Sequence, residues 1–549
     1  MTDSPASTAA LIVSCLENEG VTHVFGIPGE ENIRLVDAIS RSSIRYVLAR
    51  HEQGASFMAE VYGRLTGRAG VCSATLGPGA INLLLGTADA TTNSTPLIAL
   101  SAQVGMNRSF KESHQGVDLV SMFAPVTKWS ALAATPGAVP EMIRKAFKLA
   151  QTERPGAVYL AIPEDVEQAP AHGEPLPVNV PRPDEPSRGQ VERAAALLRA
   201  AARPIVLAGH GAARAGAGPA LRRFAEMLGI PVATTFHGKG VFRDDHPLAL
   251  GAVGFMRHDY VNFGFDRADL IVAVGYELQE FDPARINPDG DTKIIHVHRF
   301  PAEVDAHYDV AVGLHSDIGR SLDALAGAVG PRPAGAVGQV RALLAAELAR
   351  GQRDDRFPLA PARIVADTRA AMRREDIVLV DTGALKMWMA RLYPTYEPNT
   401  CLISNGLSTM AWTVPGAIGA KIARPDRRVL VATGDGAFLM NSQEIETALR
   451  LGLAFVILIW VDDAYGLISW KMDLEIGRNV DTRFGNPDFV AYAESFGATG
   501  YRITSADGLL PALRAALAAD TVSVIACPVD YAANLELIES LGDLDESLS

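Results

Sequence analysis

Two aspartates in the C-terminal third of the chain follow apolar segments that are typical of buried strands. Asp435 stands in a Gly-Asp-Gly triplet directly after residues 428–433, and Asp462 follows the apolar segment 453–461. In a parallel sheet the strand ends meet at one edge, so we expect the two carboxylates to lie close together. The glycines allow the backbone amides to approach a ligand closely. Two carboxylates beside such amides suit a hard divalent cation that holds a diphosphate, and Mg²⁺ is such a cation. The alternative is that both aspartates only cap ordinary loops.

A helix is expected between these two strands. Asn441 is a good N-cap residue, and Glu444 follows it at the spacing of a capping box. The helix is then expected to run from Asn441 to Gly452.

A third acid, Glu52, lies at a predicted strand-to-helix junction in the N-terminal third. It follows the apolar segment 44–49 and precedes a Gly-rich segment, Thr75-Leu-Gly-Pro-Gly-Ala-Ile-Asn82, that comes after another predicted strand. One possible role for such an acid is to bind a cofactor that contains a basic ring, because a basic ring needs an acid buried against it. By itself, Glu52 is more typical of a helix-cap carboxylate or of a partner of Arg50 than of such an acid.

The elements that must position these acids share one pattern along the whole chain. Short continuous apolar segments alternate with helical ones, which predicts parallel sheets covered on both faces. We therefore expect an α/β protein with three doubly wound parallel-sheet domains. Proline-rich and small-residue segments place the domains at 1–165, 190–327 and 355–535, with linkers at 166–189 and 328–354.

Composition excludes several classes of protein. With 549 residues, 48% of them apolar, the chain is long enough for several globular domains, and its formal charge of −13 disfavours nucleic acid and anionic membranes as partners. No apolar segment approaches the roughly 20 residues that span a bilayer, and the start lacks a basic signal-peptide region. Four widely separated cysteines (Cys15, Cys72, Cys401, Cys527) form no CxxC motif. These features predict a cytoplasmic protein.

Several motifs resemble thiamine diphosphate enzymes, and more closely the acetohydroxyacid/acetolactate synthases. The Gly-Asp-Gly triplet, the second acid and Gly466 resemble the thiamine diphosphate signature, which usually has an Asn/Asp pair after the triplet. The usual second Asn is replaced here, with Asp462 in the ligand position and Asp463 after it. The segment RHEQGASFMAEVYGRLTG (50–67) and the loop GPGAIN resemble synthase motifs over their whole length. VFGIPGEEN, HQGVDLVSMFAPVTKW and SNGLSTM match further motifs in the expected order. The segments 455–470 and 491–498 are closest to the FAD-independent catabolic branch.

This resemblance implies an N-terminal domain that binds the pyrimidine of the cofactor, a central domain, and a C-terminal domain that binds the diphosphate and Mg²⁺. It implies a carboligase that decarboxylates pyruvate and joins it to a second pyruvate, giving 2-acetolactate. The alternative is another thiamine diphosphate-dependent 2-oxoacid decarboxylase or carboligase, or an enzyme resembling 2-hydroxyacyl-CoA lyases. A non-catalytic subunit is disfavoured because Glu52, Asp435 and Gln115 are present. The hypothesis of a nucleotide-binding regulator rests only on the segment GHGAAR (209–214), which matches part of a dinucleotide-binding fingerprint.

The resemblance also assigns roles to individual residues. Glu52 matches the acid that hydrogen-bonds the pyrimidine ring and favours the tautomer that forms the ylide. Gln115 matches a polar residue near the reacting centre, and His114 beside it is expected to face the substrate. Met410 matches the apolar side chain that holds the cofactor bent, whereas by itself it fits a core methionine. The other implied cofactor-binding residues are Gly29, Gly77, Pro78, Gly79, Asn82, Thr382, Gly383, Ala384, Leu385, Ser408, Gly434, Asp435, Gly436, Ala437, Asp462, Tyr465, Gly466, Leu467 and Ile468.

The same resemblance implies the metal ligands, the acceptor site and the assembly. Asp435, Asp462 and the carbonyl of Ala464 match the metal ligands. Lys471 replaces a tryptophan that favours 2-oxobutyrate in biosynthetic synthases, although a one-residue slip would place Trp470 there. VGYELQEF (274–281) departs from the flavin-contacting segment of those enzymes, so FAD is not expected. The acid and the metal site come from different subunits in this family, which implies a homodimer at least, and a homotetramer is expected.

Overall fold

The computed structural model describes residues 7–179, 184–253, 264–333 and 338–534. Its strands form three six-stranded sheets in which every paired strand is parallel. This confirms the predicted class of three parallel-sheet α/β domains. The two chain ends and parts of both predicted linkers lie outside the described residues, and the predicted domain boundaries stay predictions.

The described residues group into two compact units. One comprises the described residues within 7–179, 406–426 and 439–454, and the other comprises those within 184–405, 427–438 and 455–534. The first unit holds the first sheet, and the second unit holds the other two sheets.

The first sheet has the strand order β2-β1-β3-β4-β6-β5. Strands β3, β4 and β6 are buried along their whole length, as their continuous apolar sequences predict. The elements of this region are α1 Thr8–Asn18, β1 His23–Gly26, α2 Ile33–Ser40, β2 Arg45–Leu48, α3 Glu52–Thr66, β3 Gly70–Ala74, α4 Pro78–Thr92, β4 Leu97–Gln103, α5 Leu119–Phe123, β5 Trp129–Leu132, α6 Val139–Gln151, β6 Ala157–Pro163 and α7 Glu164–Gln168.

The second sheet has the order β12-β11-β10-β7-β8-β9. Numbered from its own first strand, this is 6-5-4-1-2-3, the order of dinucleotide-binding doubly wound sheets. Its elements are α8 Arg188–Ala200, β7 Pro204–Ala208, α9 His210–Arg214, α10 Gly218–Leu228, β8 Val232–Thr234, β9 Ala249–Ala252, β10 Leu270–Val274, β11 Lys293–His298, β12 Val310–His315 and α11 Ile318–Val329.

The third sheet has the order β14-β13-β15-β16-β18-β17. Strands β15 and β16 are neighbours in it, with Gly434 paired to Trp460. The elements of this part of the chain are α12 Gly338–Gln352, α13 Pro361–Ala371, β13 Ile377–Val380, α14 Ala384–Leu392, β14 Cys401–Ile403, α15 Thr413–Ala423, β15 Val429–Gly434, α16 Asp435–Asn441, α17 Glu444–Arg450, β16 Val456–Val461, α18 Gly466–Ile476, α19 Phe489–Ser495, β17 Thr499–Arg502, α20 Leu509–Ala518 and β18 Ser523–Pro528.

Two helices from the C-terminal third, α15 and α17, belong to the unit that holds the first sheet. Helix α15 packs against α3 so closely that a Cβ on Gly419 would lie 2.2 Å from the carbonyl oxygen of Met58. A glycine is therefore required at this helix crossing.

The predicted capping box at Asn441 is wrong. The segment forms two short helices, and Asn441 ends α16 instead of starting a helix. Its side chain donates to the carbonyl of Ala411, and Glu444 accepts backbone hydrogen bonds from Arg50 and His51. Tertiary partners thus outcompete the local capping interaction.

In the described part of the chain, no helix combines the length and the apolar character that a membrane crossing needs.

Candidate active site

Glu52 is the first residue of α3, at the end of the β2–α3 connection. His51 is the N-cap, and its Nδ1 accepts from the backbone N–H of Gln53 at 3.1 Å. The half-buried Glu52 carboxylate accepts from the side-chain amide of Asn82 on α4, with Nδ2 and Oε2 3.0 Å apart. Of the two alternatives left by the sequence, neither the N-cap role nor a pairing with Arg50 describes this contact.

Two glycine-containing loops close around Glu52. A Cβ on Gly79 would lie 3.1 Å from Oε1 of Glu52 and 2.9 Å from Cγ2 of Thr75. A Cβ on Gly29 would lie 2.3 Å from Cβ of Thr75, whose hydroxyl donates to Glu31 at 2.5 Å. Gly79 therefore packs on Glu52, and Gly29 packs on Thr75, which Gly79 also approaches. Thr75 joins them, although sequence reasoning gave it no role.

Gln115 lies on an exposed loop that rests on the glycine-rich segment. Gly77 has φ +53°, and a Cβ there would lie 2.8 Å from the carbonyl oxygen of Gln115. Gln115 itself has φ +56°, a left-handed conformation that costs energy in a residue with a side chain. Pro78 follows as the first residue of α4, and the His114 side chain is exposed. The loop thus places Gln115, with its side chain exposed, beside the segment next to Glu52.

Met410 lies on a strained loop before α15. Ser408 has φ +57° and Ala411 has φ +67°, so both residues near Met410 are left-handed without being glycine. The hydroxyl of Thr409 donates to Asp89 at 2.8 Å, which anchors the loop to α4. Met410 is half-exposed, and this argues against the alternative of a simple core methionine.

Asp435 is the central acceptor of the second unit's loops. It is 1% exposed, and its Oδ1 accepts from the backbone of Gly436 at 2.8 Å. Its Oδ2 accepts from the backbone of Asp462 at 3.2 Å and of Asp463 at 2.8 Å. The ends of β15 and β16 therefore do bring the two predicted acids side by side. Ala437, next in α16, is buried.

Asn486 joins the same cluster, although sequence reasoning missed it. Its Nδ2 donates to Asp435 at 2.8 Å and to Asp463 at 2.7 Å. Its Oδ1 is buried and has no hydrogen-bond partner among the described residues. Asp463 has φ +52°, and the next residue, Ala464, forms an antiparallel bridge with Arg483. A polar residue in a loop after α18 gives no sequence signal for this contact.

The electrostatics of this cluster fit a bound cation. Burial raises the pKa of Asp435, and the pKa of Asp462 is raised to about 7 by burial and then by the charges of Asp435 and Asp463. Buried carboxylates whose pKa values are raised in this way favour a nearby positive charge. The described residues contain no group of three His, Cys, Asp or Glu side chains arranged for a metal. A cation here needs backbone, water or diphosphate oxygens, as Mg²⁺ prefers.

A loop suited to phosphate groups follows β13. Thr382 has a buried hydroxyl with no partner among the described residues, and its backbone N–H donates to Asp381. Gly383 precedes α14 with φ +151°, and Ala384 is the first residue of that helix. A helix start and an unpaired hydroxyl are ready to donate to an anion. Gly434 lies beside this loop, since a Cβ there would be 3.5 Å from Cδ2 of Leu385.

Helix α18 begins beside the acids and exposes apolar side chains. Its N-cap, Tyr465, packs on Gly436, where a Cβ would lie 2.9 Å from the tyrosine ring. A Cβ on Gly466 would lie 2.2 Å from Oδ2 of Asp462. Leu467 is half-buried, whereas Ile468 and Lys471, three residues apart on one helix face, are exposed.

The predicted site residues thus form two groups. One group surrounds Glu52 in the first unit, and the other surrounds Asp435 in the second unit. The resemblance assigns the first group to the pyrimidine of the cofactor and the second to its diphosphate, and these assignments stay predictions.

Comparison with protein families gives matches in all three regions. Residues 6–122 match the N-terminal TPP binding domain of thiamine pyrophosphate enzymes, 191–325 match their central domain, and 381–527 match their C-terminal TPP binding domain.

Individual proteins are similar over almost the whole chain. The catabolic acetolactate synthase of Raoultella terrigena is 36% identical over 545 residues, covering 98% of this chain and 97% of that protein. The acetolactate synthase of Bacillus subtilis (strain 168) is 34% identical, covering 96% and 94%. A probable acetolactate synthase large subunit of Methanocaldococcus jannaschii is 35% identical, covering 98% and 94%.

Proposed function

The chain belongs to the acetolactate synthase family of thiamine pyrophosphate enzymes, and we propose that it converts two molecules of pyruvate into 2-acetolactate and carbon dioxide. The observation on which this rests is the Glu52 carboxylate, held by Asn82 among the glycine loops of a chain with full-length similarity to these synthases. Thiamine pyrophosphate, also called thiamine diphosphate, is the cofactor. When bound, it supplies a carbon nucleophile for the carbonyl of a 2-oxoacid and stabilises the charge left by carbon dioxide.

The residues of the first unit bind and orient the cofactor's pyrimidine. Glu52 holds and exchanges a proton at a pyrimidine ring nitrogen, while Asn82 fixes the orientation of its carboxylate. Met410, held by the strained loop, would supply an apolar surface against the cofactor. Gln115 donates a hydrogen bond to oxygen atoms that gain negative charge. His114 lies beside Gln115 and faces the substrate.

The residues of the second unit bind the diphosphate and, in this proposal, Mg²⁺. Asp435, Asp462 and the carbonyl of Ala464 are the ligands. The raised pKa values of the two carboxylates support this assignment, because a cation offsets the charge that burial disfavours. The unpartnered hydroxyl of Thr382 and the start of α14 support a diphosphate on the same edge of the sheet.

To test this, the purified protein is incubated with pyruvate, thiamine diphosphate and Mg²⁺, and the mass of the product is then measured. We expect 2-acetolactate with one carbon dioxide for each pair of pyruvates. Acetaldehyde as the main product would indicate a decarboxylase. Turnover of other 2-oxoacids or 2-hydroxyacyl-CoA, without turnover of pyruvate, would indicate the related activities that the sequence left open.

We also propose that a second copy of this chain completes the site. Apolar side chains are exposed in both units, including Ile81 and Met440 in the first. In α18, the exposed fractions are 46% for Ile468, 52% for Leu474 and 56% for Ile476. Exposed apolar groups of this kind favour burial against a partner. Sedimentation should show at least a dimer, with a tetramer as the expected assembly, and a fully active monomer would contradict this.

Flavin binding in the central domain is not part of the proposed function. In doubly wound sheets a dinucleotide lies at the point where the strand order reverses, here between β7 and β10. At that point Glu280, a buried carboxylate, accepts from the backbone N–H of His210 at 2.9 Å and of Glu277 at 3.0 Å. It also accepts from the hydroxyl of Thr235 at 2.6 Å.

Glu280 thus occupies the position that a phosphate would take at the start of α9. A Cβ on Gly209 would lie 2.6 Å from the Glu280 carboxylate, so the loop closes tightly on this side chain. Arg214 pairs with Glu277 at 2.5 Å in the same region. The amides that would bind a dinucleotide's phosphates are already hydrogen-bonded, which supports a flavin-free enzyme.

A cytoplasmic location belongs to the same proposal. It is supported by the four cysteines, which are all buried and form no disulfide, as is usual in a reducing compartment.

A further inference from the structure

Glu444 is a buried carboxylate next to the start of α3. It is fully buried, and its Oε1 accepts from the backbone N–H of Arg50 at 3.1 Å and of His51 at 3.0 Å. Its Oε2 accepts from the hydroxyl of Thr447 at 2.7 Å. A buried carboxylate is costly unless it is well hydrogen-bonded, so these three contacts are what keep Glu444 in place.

The chain around Glu52 wraps this carboxylate from both sides. Arg50 and His51 bind it just before Glu52, and Gly54 packs on it just after. A Cβ on Gly54 would lie 2.6 Å from Oε1 of Glu444, so only glycine allows this close approach. Glu52 lies in the middle of this segment, and its own side chain bonds to Asn82 on α4.

We propose that Glu444 is a positioning residue that fixes the backbone on both sides of Glu52 and thereby sets where the Glu52 carboxylate meets the cofactor. This rests on the proposed function, since it takes Glu52 as the acid that acts on the pyrimidine. Glu444 does not touch the cofactor itself. It acts through two backbone N–H groups and one glycine contact, which together hold the first turn of α3.

The closing experiment measures the step that Glu52 serves. In the loaded enzyme, the exchange rate of the cofactor's C2 proton with deuterium reports proton transfer directly, without any substrate. Cofactor affinity and the unfolding temperature are measured alongside. The variants are Glu52→Gln, Glu444→Gln and the double variant. Glu446→Gln is the matched control, because Glu446 lies on the same helix but is partly exposed and pairs with Arg450.

We expect Glu444→Gln to slow C2 exchange about tenfold or more while cofactor affinity changes by less than about threefold. The double variant should exchange no more slowly than Glu52→Gln alone, because both changes act through one carboxylate. Glu446→Gln should behave like the wild type. Wild-type exchange in Glu444→Gln, or fully additive effects in the double variant, would overturn the proposal.

Two further outcomes separate this inference from the proposed function. If Glu52→Gln leaves exchange unchanged, then the role of Glu52 in the proposed function is wrong. If Glu52→Gln slows exchange and Glu444→Gln does not, then only the positioning role fails. Should Glu444→Gln not fold, Thr447→Val removes one hydrogen bond to Glu444. A folded Thr447→Val protein should show a smaller slowing, and an unchanged rate would overturn the proposal.

Discussion

Glu52 depends on few contacts for its position and on its ionisable proton for its role. The residue is half-buried, and Asn82 is its side-chain hydrogen-bond partner, so an amide of the same shape can replace the carboxylate. We expect Glu52→Gln to fold with an unchanged unfolding temperature and to lose roughly 100-fold or more in turnover, because the amide cannot exchange the proton. Steady-state kinetics and a thermal scan measure both. A stable variant with full activity would leave Glu52 a purely structural residue.

At Lys471 this chain departs from the biosynthetic synthases that it resembles, and we expect this departure to change which 2-oxoacid serves as the acceptor. It is exposed on the same face of α18 as Ile468. An ammonium offers no flat apolar surface for the extra methylene of 2-oxobutyrate, which is worth only about 1–3 kcal/mol. We expect no preference for 2-oxobutyrate over pyruvate in competition, and a changed product ratio in Lys471→Trp.

Trp470 provides the control for that prediction. Its indole nitrogen is buried without a partner among the described residues, and its side chain is half-buried, unlike that of Lys471. Trp470→Phe should leave the product ratio unchanged. A wild-type ratio strongly in favour of acetohydroxybutyrate would contradict the argument from Lys471, and a shift in Trp470→Phe alone would indicate the one-residue slip.

Residue types and spacing predicted some contacts and missed others for a physical reason. Asp435 and Asp462 were recognisable because each follows a strand end, and strand ends meet in a parallel sheet. Glu444 and Asn486 were not recognisable, because their partners are distant in sequence and each has a plausible local role. The left-handed conformations of Gln115 and Ser408 also left no signal, since neither is glycine.

At the scale of elements, hydrogen bonds connect the loops that follow three neighbouring strands of the third sheet. The side chain of Asp381 accepts from Thr433, which ties the end of β13 to β15, and Asp435 ties β15 to the loop after β16. Asn486 adds the segment after α18. We therefore expect a substitution at any of these hydrogen-bonded positions to lower the affinity for the cofactor.

We expect Asp435→Asn to abolish Mg²⁺-dependent binding of thiamine diphosphate, because it removes a charge while keeping an acceptor for the backbone N–H groups. Asn486→Ala should weaken binding about tenfold, as is usual for residues that orient a metal ligand. Titration of the apoprotein with cofactor, with and without a chelator, measures both. Wild-type affinity of Asp435→Asn in chelator would show that the metal assignment is wrong.

The elements themselves were largely predictable, and their ends less so. Continuous apolar segments gave the buried parallel strands because both faces of these sheets are covered. The helix expected from Asn441 to Gly452 failed, since the chain breaks after Asn441 and resumes at Glu444. Two side chains found tertiary partners there, and these outweighed the local capping pattern.

For the whole molecule, the central domain decides whether the enzyme needs flavin. Glu280 accepts hydrogen bonds from the backbone N–H groups of His210 and Glu277 at the reversal point of the sheet, so we expect the purified protein to be colourless and fully active without added FAD. Absorption spectra and assays with and without FAD measure this. A flavin band at stoichiometric occupancy would contradict it.

The strand orders of the three sheets are of two kinds. The first and third sheets share one order, 2-1-3-4-6-5 when each is numbered from its own first strand, whereas the second is 6-5-4-1-2-3. The first and third sheets therefore present the loops after their strands in the same order along one edge, whereas the middle sheet presents them in a different order. In the proposed function, the pyrimidine and the diphosphate are bound by loops of the two sheets that share a strand order. One arrangement of strands would then serve both ends of the cofactor, with an acid at one end and a metal site at the other.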